Sequence, residues 1–140
     1  FVPARKDFVW KPPAPVNYVD RLNFENLRRL RLAPSGPAGD SEFLRRVYLD
    51  TIGLLPTPAE AESFLKDTHP DRRARLIETL LQREEFADFW AMKWGDLLRL
   101  EERSLDKTGV AAYRNWIRES IRAGKPMDRF VHELIVAEGS

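Results

Sequence analysis

The stretch EEFADFWAMKWGDLLRLEE, residues 84–102, decides the fold. Phe86, Phe89, Trp90, Trp94, Leu97 and Leu98 recur at spacings of three and four, which places their side chains on one face of an α-helix. Lys93 interrupts the stripe, but its aliphatic stem can itself cover apolar surface. The pattern predicts a long helix from about Glu84 to Glu102. Rings at helical spacing read first as core, because burying large rings is the main source of stability in a small domain.

The same periodicity continues on both sides. Asn17 is a good N-cap for a helix carrying Val19, Leu22, Leu27 and Leu30 on roughly one side, closed by Ala33, Pro34, Ser35, Gly36 and Pro37. A second helix starts at Asp40 or Ser41 and runs to about Ile52, with Leu44, Val47, Tyr48 and Ile52 inward and Gly53 as its stop. Thr57, Pro58 and Glu60 have the form of a capping box with proline in the first helical position, opening a short helix expected to bury Phe64 and Leu65. Pro70 and Asp71 open another, with Leu76, Ile77, Leu80 and Leu81 inward and Arg72, Arg73 and Arg75 turned to water. Beyond the aromatic helix, Thr108 is expected to cap a helix whose Val110, Tyr113, Trp116, Ile117 and Ile121 share a face before Gly124, Lys125 and Pro126 end it. Met127, Phe130, Val131, Leu134 and Ile135 give the last helix a wide apolar face. The expected fold is all-α: an irregular or orthogonal bundle of six or seven helices joined by short loops.

Residues 1–16 hold Pro3, Pro12, Pro13 and Pro15 with Phe8 and Trp10 between them, a composition that favours extended backbone. They read as a proline-rich linker or strap, and residues 17–140 as one helical domain, a size at which a single core suffices without disulfides or metals. A start at Phe1 rather than Met suggests a fragment of a longer chain. No apolar run reaches the roughly 18 residues of a membrane helix, and the N-terminus lacks the order of a signal peptide.

The 140 residues carry 23 Lys and Arg against 22 Asp and Glu, a formal net charge of +1. With no net field to gather polyanions, nucleic-acid binding is not expected, even though Arg28, Arg29 and Arg31 cluster, as do Arg72, Arg73 and Arg75. The absence of cysteine excludes disulfides, thiolate zinc sites, cysteine nucleophiles and covalent c-type haem attachment. His69 and His132 have no companions at metal-ligand spacing, and no glycine-rich phosphate loop occurs. Glu84 with Glu85, and Glu101 with Glu102, are neighbours in sequence and point different ways from a helix, so they read as solvated charges. No catalytic residue, cofactor or metal is therefore expected of this chain alone. Two charged groups stand beside apolar faces: Arg45, Arg46 and Asp50, with Arg46 and Asp50 at the i, i+4 spacing of an ion pair, and Asp96 and Arg99 after Trp94. Charges so placed can set the register of a contact with a neighbour.

Phe43 to Asp50 in the form FLRRVYLD, then Gly53 and the run Leu55, Pro56, Thr57, Pro58, resemble a known family. The likeness continues through residues 71–77 (DRRARLI) and 86–99 (FADFWAMKWGDLLR), and resumes at residues 113–117 (YRNWI) and 125–131 (KPMDRFV). This pattern resembles the planctomycete cytochrome-c-associated domain, domain of unknown function 1549, over about residues 17–140. The chain departs from it where Glu84 stands in place of a proline often found near the start of the aromatic helix. The resemblance implies a piece of a large exported protein, periplasmic, cell-surface or extracellular, usually followed by a second domain and sometimes preceded by cytochrome-c-like, immunoglobulin-like or lectin-like segments. It implies no activity and no catalytic residues.

The function expected is that of a non-catalytic structural and interaction module packing against a following domain, with Arg45, Arg46, Asp50, Trp94, Asp96 and Arg99 as the contact region. A cytochrome-c-like segment or a polysaccharide are further partners to consider. The alternatives are a composite hydrolytic or redox active site completed by another domain, and a carbohydrate-binding module using the tryptophans.

Overall fold

The computed structural model describes residues 7–100 and 106–137. The described residues form seven α-helices, and the chain divides into two units, Phe1–Ala38 and Gly39–Ser140.

In the first unit, α1 (Tyr18–Arg29) starts at Asn17, whose side-chain oxygen accepts from the backbone N–H groups of Val19 (2.8 Å) and Asp20 (3.1 Å). The Asp20 carboxylate takes the N–H of Asn17 in return (3.4 Å), completing a capping box. At the other end Arg31 has a positive φ of 54°, and Leu32 donates back to the Leu27 carbonyl (2.9 Å). The helix buries no residue: Val19, Leu22 and Leu30 are exposed, while the Phe24 ring meets Trp10 of the proline-rich segment edge-on at 6.4 Å.

The second unit begins with α2 (Asp40–Ile52), stopped by Gly53 in the left-handed conformation at φ 72°. α3 (Pro58–Lys66) is capped by Thr57, with the Thr57 hydroxyl accepting from the Glu60 N–H and the Glu60 carboxylate accepting from the Thr57 N–H at 2.7 Å. α4 (Arg72–Leu81) and α5 (Glu84–Leu97) follow. Leu44, Tyr48, Ile52, Phe64 and Leu80 form one core where α2 packs on α3 and α4, with Phe86 of α5 against it. α5 ends sooner than its apolar repeat suggests, and residues 101–105, with Glu101 and Glu102, lie outside the described part.

α6 (Lys107–Arg122) and α7 (Met127–Val136) complete the unit. Ala91, Ile117 and Phe130 form a second core, flanked by Trp94, Leu98, Tyr113, Trp116, Ile121 and Leu134. α5 thus serves both cores, and it lies most extensively against α6. Its fully buried residues are Ala87, Ala91 and Gly95, four apart, while Phe86, Phe89, Trp90 and Trp94 are half-buried to either side. Small side chains let two helix backbones approach closely, so the innermost line of α5 is built from its smallest residues. The Trp90 indole N–H donates to the Thr51 carbonyl (3.1 Å), pinning α5 to the end of α2.

Several expectations change. Leu65, Leu81 and Leu97 are exposed rather than core. Asp106, not Thr108, caps α6 and accepts from the Gly109 N–H at 2.6 Å; a carboxylate adds its charge to the hydrogen bond at the positive end of the helix. Arg72 and Arg73 are half-buried rather than turned to water. Both pair with Asp40 at the start of α2, and their guanidinium groups lie over the Phe64 and Phe43 rings. On α7 only Phe130 is buried and Leu134 half-buried, which leaves Met127, Val131 and Ile135 open.

α5 ends in a turn closed by Arg99 N–H to Asp96 C=O (3.2 Å) and Leu100 N–H to Gly95 C=O (2.9 Å), with Arg99 at φ 52°. This left-handed position suits glycine, and a side chain there costs about 1–2 kcal/mol, partly offset by the chain entropy glycine would lose. Arg99→Gly is therefore expected to stabilise the fold by about 0.5–1 kcal/mol in urea unfolding. A destabilised variant would mean that the arginine side chain holds a contact the turn depends on.

Candidate functional site

The six residues singled out from the sequence fall into two groups. Arg45, Arg46 and Asp50 lie on the exposed side of α2, while Leu44, Tyr48 and Ile52 face the core. Arg46 pairs with Glu42 at 2.5 Å, not with Asp50. Both carboxylates are one turn away, and the acid-before-base order is the more favourable one on a helix, because each charge then also faces the better end of the helix dipole. Arg45 and Asp50 have no ion-pair partner among the described residues. Trp94 is a core residue, its ring 5.2 Å from that of Phe130, while Asp96 and Arg99 are exposed around the turn that ends α5. No hydrogen bond, ion pair or ring contact among the described residues joins the α2 group to the α5 group.

Two large grooves open on the described surface. The first, about 600 Å³, opens between α3 and α4 over the Tyr48, Phe64 and Leu80 core, with Arg72, Arg75 and Arg83 along its sides. Its charges are bound to one another. Arg83 joins Glu60 (2.7 Å) to Glu85, so the carboxylate that caps α3 also ties α3 to the start of α5. Arg75 pairs with Asp67, while Arg72 donates to the Asp67 carbonyl. Burial, with Glu60 nearby, pushes the Tyr48 hydroxyl above its usual range. The hydrogen bond from Arg83 holds Glu85 down at about 2, against an ordinary 4.5. The Thr57 backbone N–H and then Arg83 lower Glu60 in the same direction. Glu85 is thus a bound group rather than the solvated charge its position beside Glu84 suggests. Arg83 lies 23 residues from Glu60, beyond any local pattern.

A carboxylate whose pKa is depressed by folding contributes fully above its unfolded value and loses that contribution as pH falls through the folded one. For Glu85 that window runs from about 4.5 down to about 2. The thermal midpoint should fall steadily across it, and Arg83→Met should flatten the slope while lowering stability at neutral pH. A parallel slope in the variant would show that the ion pair carries none of the acid sensitivity.

The second groove, about 490 Å³, is aromatic. Phe86, Trp90 and Trp94 recur every four residues along one wall on α5, and Met127 and Phe130 of α7 stand opposite, with Lys125 the charged residue among the lining side chains. Phe130 is held between Trp94 at 5.2 Å and Trp116 at 4.9 Å. The Lys125 ammonium lies over Trp116 (4.7 Å) and pairs with Glu133 (2.6 Å).

Among the described residues no group of three or more His, Cys, Asp or Glu side chains could hold a metal ion. His69 and His132 are exposed; the His69 Nδ1 accepts from the Asp71 N–H (3.1 Å) in the turn before α4. Among the described residues no helix is long and apolar enough to cross a membrane.

The sequence model of the PSCyt2 family, described as "Protein of unknown function (DUF1549)", matches residues 18–139. No curated protein and no solved structure matches the chain.

Proposed function

Since the chain belongs to the PSCyt2 family, whose description assigns no activity, we propose that it is an interaction module of a larger exported multidomain protein, packing against a neighbouring domain of the same polypeptide. The observation that carries this reading is the open face of α7. Met127, Val131 and Ile135 are four residues apart and 54%, 42% and 77% exposed. Scattered apolar residues on a surface are ordinary, but three in register along one helix face match the stripe with which a helix packs on a partner. Leu97, at the end of α5, is 70% exposed.

A neighbour on the same polypeptide suits a strip of this kind. Tethering supplies an effective concentration of roughly millimolar, so a modest apolar contact suffices where a free partner would need a larger one. Contacts between domains of one chain are accordingly smaller and more polar than obligate interfaces. The unpaired Arg45 and Asp50, with Arg46, and the exposed Asp96 and Arg99, would orient the contact rather than drive it, while Trp94 supports the turn from the core side. Export rests on the family resemblance.

The test makes this chain and the adjoining domain as separate proteins and measures their association by calorimetry. Val131→Asp should weaken it at least about tenfold, the scale of one lost apolar anchor. Arg99→Gly should weaken it while raising the thermal midpoint, a combination that a purely structural arginine would not produce. Absence of association, with fast hydrogen exchange along α7 in the intact parent, would falsify the reading.

A further inference from the structure

We infer that the pocket between the proline-rich strap and α1 binds a small aromatic acid: one or two fused flat rings carrying a carboxylate. The site lies within the first unit and shares no residue with the domain contact proposed above. Its volume is about 280 Å³, just under the ~300 Å³ at which sites for drug-sized molecules begin, which suits a ligand of that size. Trp10 and three prolines of the strap line one side, and Phe24 of α1 meets Trp10 edge-on at 6.4 Å. The Phe8 ring also lies 5.9 Å from that of Trp10. Proline fixes its own φ, and the tryptophan is held by two neighbouring rings, so this wall is stiff before a ligand arrives. A flat apolar body laid on it keeps most of its contact as affinity, because little has to be ordered on binding.

Charge selects the head group, and the cations that do so line the pocket themselves. Arg21, Glu25 and Arg28 follow one another on one side of α1 at spacings of four and three. None of the three has an ion pair or a side-chain hydrogen bond among the described residues. The contrast with the groove between α3 and α4 is sharp, since Arg72, Arg75 and Arg83 there are each bound to a carboxylate. The two guanidinium groups of the pocket outnumber its one carboxylate, and they sit in a positive segment. Residues 1–38 hold seven Lys and Arg against three Asp and Glu, a net charge of +4 in a chain whose total is +1. Arg21 and Arg28 are two turns apart, roughly 10 Å along the axis, so both side chains reach an anion placed between them. A guanidinium is planar and takes a carboxylate through two parallel N–H bonds, which fixes the acid group while the ring rests on Trp10.

The experiment titrates the whole chain with naphthoate, naphthylmethanol, naphthylmethylammonium and hexanoate, and follows the Trp10 indole N–H resonance. Naphthoate should bind saturably at one site, the alcohol about tenfold more weakly, as expected for two partly screened charge contacts, and the ammonium more weakly still. Hexanoate, an acid without a ring, should bind at least about threefold more weakly than naphthoate. Arg21→Gln combined with Arg28→Gln should bring naphthoate down to the level of the alcohol and leave the alcohol unchanged, while the pair of Arg→Lys changes should retain part of the preference. Glu25→Gln should strengthen naphthoate about twofold to fivefold by removing the one anion in the pocket. Arg29→Gln supplies the control, because Arg29 is exposed on the same helix and does not line the pocket. It should change nothing. A loss in Arg29→Gln equal to that of the double variant would overturn the inference, since the preference would then come from the diffuse charge of the segment. Equal affinity for acid and alcohol, hexanoate binding as tightly as naphthoate, or a Trp10 signal that never moves would overturn it as well.

Discussion

Gly53→Ala is expected to destabilise the second unit by about 2–5 kcal/mol, a large share of the roughly 5–15 kcal/mol that holds a domain of this kind together. Two separate costs meet at this residue. Its φ of 72° is a left-handed conformation, in which any side chain loses about 1–2 kcal/mol against glycine. A Cβ there would also lie 2.4 Å from Cδ2 of Phe89 and 2.5 Å from Cε2, closer than van der Waals contact allows. The Phe89 ring cannot simply withdraw, because it sits edge-on against Trp90 at 5.9 Å and Trp90 is bonded to the Thr51 carbonyl. Overpacking of that kind costs a further 1–3 kcal/mol or so. Gly124 supplies the control. It has a φ of 59°, and a Cβ added there would meet nothing within 4 Å, so Gly124→Ala should show the backbone cost alone. Urea denaturation of both variants, with Phe89→Leu added to Gly53→Ala, separates the two contributions. Equal losses at the two glycines, or no recovery in the double variant, would show that the Phe89 contact is not felt.

That contact marks a boundary between what the sequence reveals and what it conceals. Gly53 and Gly124 are legible as helix stops, and Asn17 and Thr57 as helix starts, because these roles depend on the chain within four or five residues. The amphipathic stripes likewise locate every helix. Long-range partners leave no such trace. Nothing near Arg72 and Arg73 announces that Asp40, on a different helix, will draw them out of water. The ring that forbids a Cβ at Gly53 is equally remote, on α5. Periodicity also ranks residues by hydrophobicity, whereas close packing ranks them by size, which is why Ala87, Ala91 and Gly95 do not stand out beside four aromatic rings. On α7 the wide apolar face is real, yet α7 buries only Phe130 completely, and a sequence does not say how many sides of a helix will find a neighbour. The same limit applies to the candidate contact residues: the sequence places Arg45 and Asp50 on the outer face of α2 but not what they meet.

Ile117→Ala is expected to cost about 3–5 kcal/mol, the upper part of the range for removing a buried aliphatic side chain. Ile117 is 0% exposed at the centre of the second core, where α6 lies on Ala91 of α5 and Phe130 of α7 packs nearby. The cavity it leaves would close poorly. Its neighbours are large rings fixed by one another, Trp94 to Phe130 and Trp116 to Phe130, and by the Lys125–Glu133 pair over Trp116, so collapse would have to break several contacts at once. Leu80→Ala, also at 0% exposure but in the first core, should cost a similar amount, about 2–5 kcal/mol. The informative quantity is their sum. The two cores share α5, whose Phe86 packs against the first and Ala91 belongs to the second. If α5 is a rigid common wall, each loss is felt by the whole unit, which then unfolds in one transition, and the double variant should lose the sum of the two within about 0.5 kcal/mol, as distant sites do. Two separate unfolding transitions, with Ile117→Ala moving only one of them, would mean that the cores melt independently and that α5 is a hinge between them rather than a shared wall.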